Sequence, residues 1–188
     1  MKFSEIPYTR PDLEAFKAEA DQIFTRFEAA ENFEDQWQAL LDYAALRKPK
    51  DGNSTLVYIR RSLNSMDPFY EAEQNFFDEN MPKFQEVNNR FYGLMLKSPF
   101  IAEFEEKLGK QVFEVMRLEQ KVFSPEIMDD LTEENKLTSQ YDKLLGSAEV
   151  PFRGETYSLS GLTKFFEDPD RQTRKEAQEA YCGYLIAH

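Results

Sequence analysis

Histidine is almost missing from this chain of 188 residues: His188 stands alone, at the end of the sequence. A catalytic zinc takes about three protein ligands, usually histidine-rich, and keeps one position open for water. A Ser–His or Cys–His nucleophile needs a histidine base held in a packed site. One histidine at a terminus, where chains commonly fray, meets neither need. Cysteine is equally scarce, with Cys182 alone, so no internal disulfide can form and a reducing compartment is the expectation. The seven glycines build no Gly-x-Ser-x-Gly elbow, no phosphate-cradling Gly-x-x-x-x-Gly-Lys and no dinucleotide Gly-x-Gly-x-x-Gly. Positive charge is short as well. Lys plus Arg number 23 against 35 Asp plus Glu, a formal net charge of −12. Such a balance repels nucleic acid and anionic membrane surfaces. The most visible basic cluster, Arg60-Arg61, reads as a solvated helix face. No stretch approaches the roughly 18–20 apolar residues of a membrane span. The opening Met1-Lys2-Phe3-Ser4-Glu5-Ile6-Pro7 has no apolar run of a signal peptide. A soluble, cytoplasmic protein is expected.

What the chain does have is aromatic bulk and helical period. Seventeen phenylalanines and nine tyrosines sit in a sequence that is 41% hydrophobic and 31% charged, a soluble globular balance with large side chains for the core. Leu13, Phe16, Ala20, Ile23 and Phe27 recur at three- and four-residue steps, the spacing of one helix face. After a break at Ala30-Glu31-Asn32 the pattern returns in Phe33, Trp37, Leu40, Leu41 and Ala44. Lys48-Pro49-Lys50-Asp51-Gly52-Asn53 reads as a turn, followed by a third, shorter helix with Leu56, Ile59 and Leu63. Asp67-Pro68, Ser98-Pro99, Ser124-Pro125 and Asp168-Pro169 each place a capping oxygen before a proline, a helix-start signal. Thr132, with Glu133 and Glu134 behind it, is another start, and Gly146 a C-terminal cap. The longest helix spans Pro68 to about Lys97, with a kink expected at Pro82. Further helices carry Phe104 and Leu108, Val112 and Met116, and Leu137, Tyr141 and Leu144. Only Val150 to Leu159 alternates around a glycine, as a short β-hairpin does. The fold class is therefore all-α: antiparallel helices, one long and kinked, with one hairpin near 150–159. One domain over 1–188 is expected. A final helix from Pro169 to His188 meets no stop signal, so the chain reads as cut inside a helix.

The acids offer the remaining candidate chemistry. Glu71 with Glu73, Glu103 with Glu106, and Glu133 with Glu134 are the densest groups. Di-iron bundles pair Glu-x-x-His on facing helices, and no internal histidine exists here, so these acids read as solvated surface. Cys182 reads as a packed thiol. No catalytic, cofactor-binding or metal-binding residue is assigned.

The order of several segments resembles a known family. They are Tyr8-Thr9-Arg10-Pro11-Asp12-Leu13, Phe69-Tyr70 with Glu73 ahead of Pro82, Phe123-Ser124-Pro125-Glu126, and Glu133-Glu134-Asn135-Lys136-Leu137 with Tyr141 and Leu144. The strongest are Phe152 to Leu159 and Asp170 to Ala177. Together they are similar to the N-terminal region of oligoendopeptidase F, a thimet-oligopeptidase-like zinc metallopeptidase. The resemblance implies a largely helical, cytoplasmic protein that cleaves short peptides in a deep channel. It also implies a zinc held by a His-Glu-x-x-His helix and a distal glutamate. That motif does not occur here, so none of its residues can be assigned. The resemblance places the chain as a wall of the channel, with the catalytic domain missing. That domain would dock on the last helix around Tyr181, Tyr184 and Leu185. A stand-alone helical interaction protein is the alternative reading, and a metalloprotein using carboxylates alone is a third.

Overall fold

A computed structural model describes residues 3–188. Met1 and Lys2, the start of the stretch read for a leader, lie outside the described residues. A 3-10 turn at Phe3–Glu5 leads into α1 (Leu13–Ala29), α2 (Phe33–Leu63) and α3 (Pro68–Leu96). Next come α4 (Ile101–Leu108), α5 (Lys110–Val122) and α6 (Met128–Gly146). A hairpin of β1 (Val150–Phe152) and β2 (Glu155–Tyr157) precedes the single turn α7 (Leu159–Leu162) and α8 (Arg171–Ala187). Among the described residues this hairpin is the only sheet. The all-α expectation holds, and among the described residues no helix is long and apolar enough to cross a membrane.

Capping chemistry sets the first three helix starts. Asp12 accepts from the Ala15 N–H, Asn32 from Asp35 N–H, and Asp67 from Phe69 and Tyr70 N–H, each satisfying amides that the first turn leaves free. Elsewhere the start signals are displaced. Ser98 Oγ accepts from the Phe100 N–H, but α4 opens at Ile101. Ser124-Pro125 opens a 3-10 turn over Pro125–Ile127 that runs into α6 at Met128. Thr132 is therefore internal, its hydroxyl donating to the Met128 carbonyl. Asp170 rather than Asp168 caps α8. Gly146 is the last residue of α6 rather than a left-handed cap.

The largest departure is at Pro49. The expected turn over 48–53 does not form, and α2 runs unbroken through it for 31 residues. A proline inside a helix removes one hydrogen bond and crowds the preceding turn. Packing outweighs that cost here. Tyr43 and Leu46 before Pro49 belong to the main core, and Leu56 and Val57 after it are buried. Pro82 likewise lies inside α3, itself buried, and the helix continues through it.

Two clusters hold the chain. The larger joins α1, α2, α3, α4 and α5 through Phe16, Phe24, Phe27, Tyr43, Phe91 and Phe104, among others. The smaller gathers Val150, Phe152, Leu159, Leu162 and Ala177 under the hairpin and α8. In the hairpin Val150 faces Tyr157 and Phe152 faces Glu155. Its two-residue loop has Arg153 at φ 50° and Gly154 at φ 85°, the twin positive angles of the tight turn that suits strand twist. Tyr184 ties α8 to α6 by donating its hydroxyl hydrogen to the Leu144 carbonyl at 3.2 Å.

Replacing Phe91, 2% exposed, by alanine is expected to cost about 3–5 kcal/mol, read from urea unfolding; a cost below about 1 kcal/mol would mean that this ring does not anchor the core.

Candidate functional site: a groove along α2

One stripe of α2 borders a series of surface hollows. Residues Ala44, Lys48, Asp51, Thr55, Tyr58 and Ser62 follow one another at three- and four-residue steps, so they share a stripe. Three hollows lie along it. The first, of about 630 Å³, is lined by Ala44, Arg47, Lys48, Asp51, Gly52 and Thr55. The second, of about 310 Å³, shares Thr55 and adds Tyr58 with Gln74, Phe77 and Asp78 of α3 and Asn135 of α6. The third, of about 220 Å³, shares Tyr58 and reaches Asp142 and Lys143 of α6. The result is a groove running from the middle of α2 toward its C-terminal end. Its floor exists because α3 packs on both α2 and α6.

An ion pair with a buried carboxylate and a half-exposed arginine locks α3 to the start of the chain. Glu73 is 5% exposed. Its Oε1 accepts from Arg10 Nη2 at 2.5 Å and its Oε2 from Arg10 Nε at 2.8 Å, a two-point fork that suits arginine and carboxylate. The Tyr8 hydroxyl donates to the same Oε2. Arg10 holds the Glu73 carboxyl below its ordinary value, against burial, which pushes it up. Burial, then the Glu73 contact, raises the Tyr8 phenol well above its usual range. Arg60 fastens the segment from the other side, donating to the Ile6 carbonyl at 2.6 Å and to the Tyr70 hydroxyl at 2.5 Å. Arg61 is buried and donates to the Ser139 carbonyl at 2.5 Å. The Arg60-Arg61 pair is thus a structural clasp between elements, correcting the expectation of a solvated face.

The acids singled out by density divide. Glu103, Glu106, Glu133 and Glu134 are exposed, while Glu71 is half-buried and pairs with Lys143. Glu73 is the exception described above. Asp78 was not legible as a site from density. Its signal is position: it directly follows Phe77, at the edge of the stripe of Phe77, Met81 and Phe84.

The last helix behaves differently from expectation. Cys182 is exposed, not packed. Tyr181 and Tyr184 are half-buried against the smaller cluster, where Tyr181 meets Phe166 edge-on at 5.5 Å. Leu185 and Ile186 are exposed, at 42% and 86%. His188 stacks on Tyr184 at 4.3 Å. These residues do not fit a zinc ion. Among the described residues no three of His, Cys, Asp and Glu are grouped to hold a metal, and the one imidazole is occupied by a tyrosine ring.

Residues 3–123 match the family model of the Peptidase M3 N-terminal domain. Among solved structures, PZ peptidase A with an inhibitor is similar over the whole chain, with 41% identity and a TM-score of 0.95. A structure named as oligoendopeptidase F of Bacillus anthracis str. Ames is similar over the whole chain too, at 38% identity and a TM-score of 0.94. The chain spans only 33% and 34% of the length of those two. No curated protein matches the sequence.

Glu73, Asp42, Asp170 and Glu176 are all held below their ordinary carboxylate values by hydrogen bonds. A lowered carboxylate adds stability that is complete above its unfolded value of ~4 and is lost as pH falls through the folded one. The urea midpoint is expected to hold between about pH 7 and 5 and to drop below about pH 4. Glu73→Gln should shrink that drop, and a midpoint that rises on acidification would contradict the assignment. Arg10→Ala should cost about 1–3 kcal/mol at neutral pH by stranding a buried carboxylate.

Proposed function

Because this chain belongs to the Peptidase M3 N-terminal domain family, we propose that it serves as the non-catalytic helical part of a larger, oligoendopeptidase F-like zinc metalloendopeptidase. In this reading the groove along α2 faces the peptide channel, and the zinc is bound by residues outside these 188. The observation that carries it is the match over the whole chain to structures three times as long.

The wall role draws support from the surface. Val115, Leu118 and Val122 stand exposed at 45%, 59% and 73% on one stripe of α5. Leu137 and Tyr141 do so on α6, and Leu185 and Ile186 on α8. Apolar residues grouped in this way mark surfaces that meet more protein. We assign the docking of the catalytic part to the α8 end, through Leu185 with the outer edges of Tyr181 and Tyr184. Short peptides are then the ligands of the assembled enzyme. The wall contributes shape and charge to it, and no proton transfer.

The test is the native gene product, detected in its own cells with an antibody raised against these residues. A product about three times the length of this chain, carrying zinc and hydrolysing short peptides, is the expected result. The 188-residue chain purified alone is expected to hold no stoichiometric zinc by metal analysis and to cleave no peptide. A native product no longer than this chain, or zinc-dependent turnover by the chain alone, would sink the proposal.

A further inference from the structure

Asp78 is a buried carboxylate without a counter-charge. It is 5% exposed. Its Oδ1 accepts from Gln74 Nε2 at 2.8 Å, and its Oδ2 is closed to solvent with no hydrogen-bond partner. No described lysine or arginine pairs with it, although the ion pairs Lys143–Glu71 and Lys136–Glu79 form nearby on the same face of α3 and α6. An uncompensated charge out of water is costly. Its field is also poorly screened, so a cation brought to it is held strongly. Asp78 lines the central hollow of the groove, of about 310 Å³.

The walls of that hollow select the kind of cation. Tyr58, Phe77 and Met81 give it apolar sides, while Gln74 and Asn135 sit beside the acid. Apolar walls ending in a carboxylate complement a side chain with an alkyl stem and a charged tip. A divalent metal fits poorly. It would take about six to eight oxygens, and no group of three acidic, cysteine or histidine ligands is present among the described residues. The net charge of −12 favours the approach of cations over anions at long range.

We propose that this hollow is a specificity pocket for the lysine or arginine side chain of a bound peptide, with Asp78 as its counter-charge. The inference rests on the reading of the α2 groove as a peptide-facing wall and adds the class of side chain that the wall prefers.

The test is a pair of blocked pentapeptides, acetyl-Ala-Ala-Lys-Ala-Ala-amide and the same peptide with norleucine at the centre. Each is titrated into the ¹⁵N-labelled chain and followed by amide NMR shifts. The lysine peptide is expected to move the signals of Ser54, Thr55, Gln74 and Asn135 and to bind at least tenfold more tightly than the norleucine peptide. Asp78→Asn should reduce the lysine peptide to the norleucine affinity. Equal binding of the two peptides in the groove would remove the specificity pocket and leave the wall reading intact. Binding of neither would likewise remove the specificity pocket, while the wall reading stands or falls on the size and zinc content of the native product. Calcium chloride shifting these amides while the lysine peptide is inert would assign the hollow to a metal instead. The norleucine comparison needs no variant, so the outcome stands even if Asp78→Asn fails to fold.

Discussion

Phe91 lies where three helices meet. Its ring stacks on Phe24 at 5.3 Å, meets Phe27 edge-on at 5.4 Å and leans on Tyr43 at 4.4 Å, joining α3 to α1 and α2 through one contact set. Aromatic pairs of this kind add about 0.5–1.5 kcal/mol beyond the area that they bury. The same helix continues the seam through Phe84, Val87 and Met95, all buried, and packs against α5 and α6 as well. Each of the other long helices before the hairpin is positioned by its fit to α3, so the groove along α2 inherits its shape from this core.

Polar clasps then fix what the aromatic core leaves loose. Tyr8 and Arg10 reach Glu73 across more than sixty residues of chain. Arg153 pairs with Glu176 at 2.8 Å, tying the hairpin to α8. Asp170 accepts from the Thr173 hydroxyl and N–H, setting the start of that helix. Several of the residues that carry the family resemblance are among these. Tyr8, Arg10 and Glu73 come from two separate stretches of it, and Arg153, Asp170 and Glu176 from two more. Their role is architectural: each fork or cap brings together elements that local propensity would leave apart.

Much of this was legible beforehand. Helix periodicity found α1, the start of α2 at Phe33 and the length of α3. The Asp67-Pro68 cap and the Val150–Leu159 alternation stand in the structure as read. Pro49 departs from its local signal because the turn-forming residues around it say nothing of the packing on either side. Arg61 and Glu73 looked like surface charge, since spacing reports which helix face a residue occupies but not what that face meets. Cys182 misled in the opposite sense. It sits among apolar neighbours in sequence, yet its side of α8 faces water.

The amino-acid sequence by itself determined the class of fold, the extent of most helices and the absence of a histidine-based centre. Those depend on local period, capping and composition. Only the tertiary structure decided that α2 passes through Pro49, that Glu73 is buried against Arg10, and that Asp78 is buried beside the hollow between three helices with no described lysine or arginine paired to it. Each of those is a balance between a local cost and contacts made by residues far away in the chain, and that balance exists only once the helices have packed.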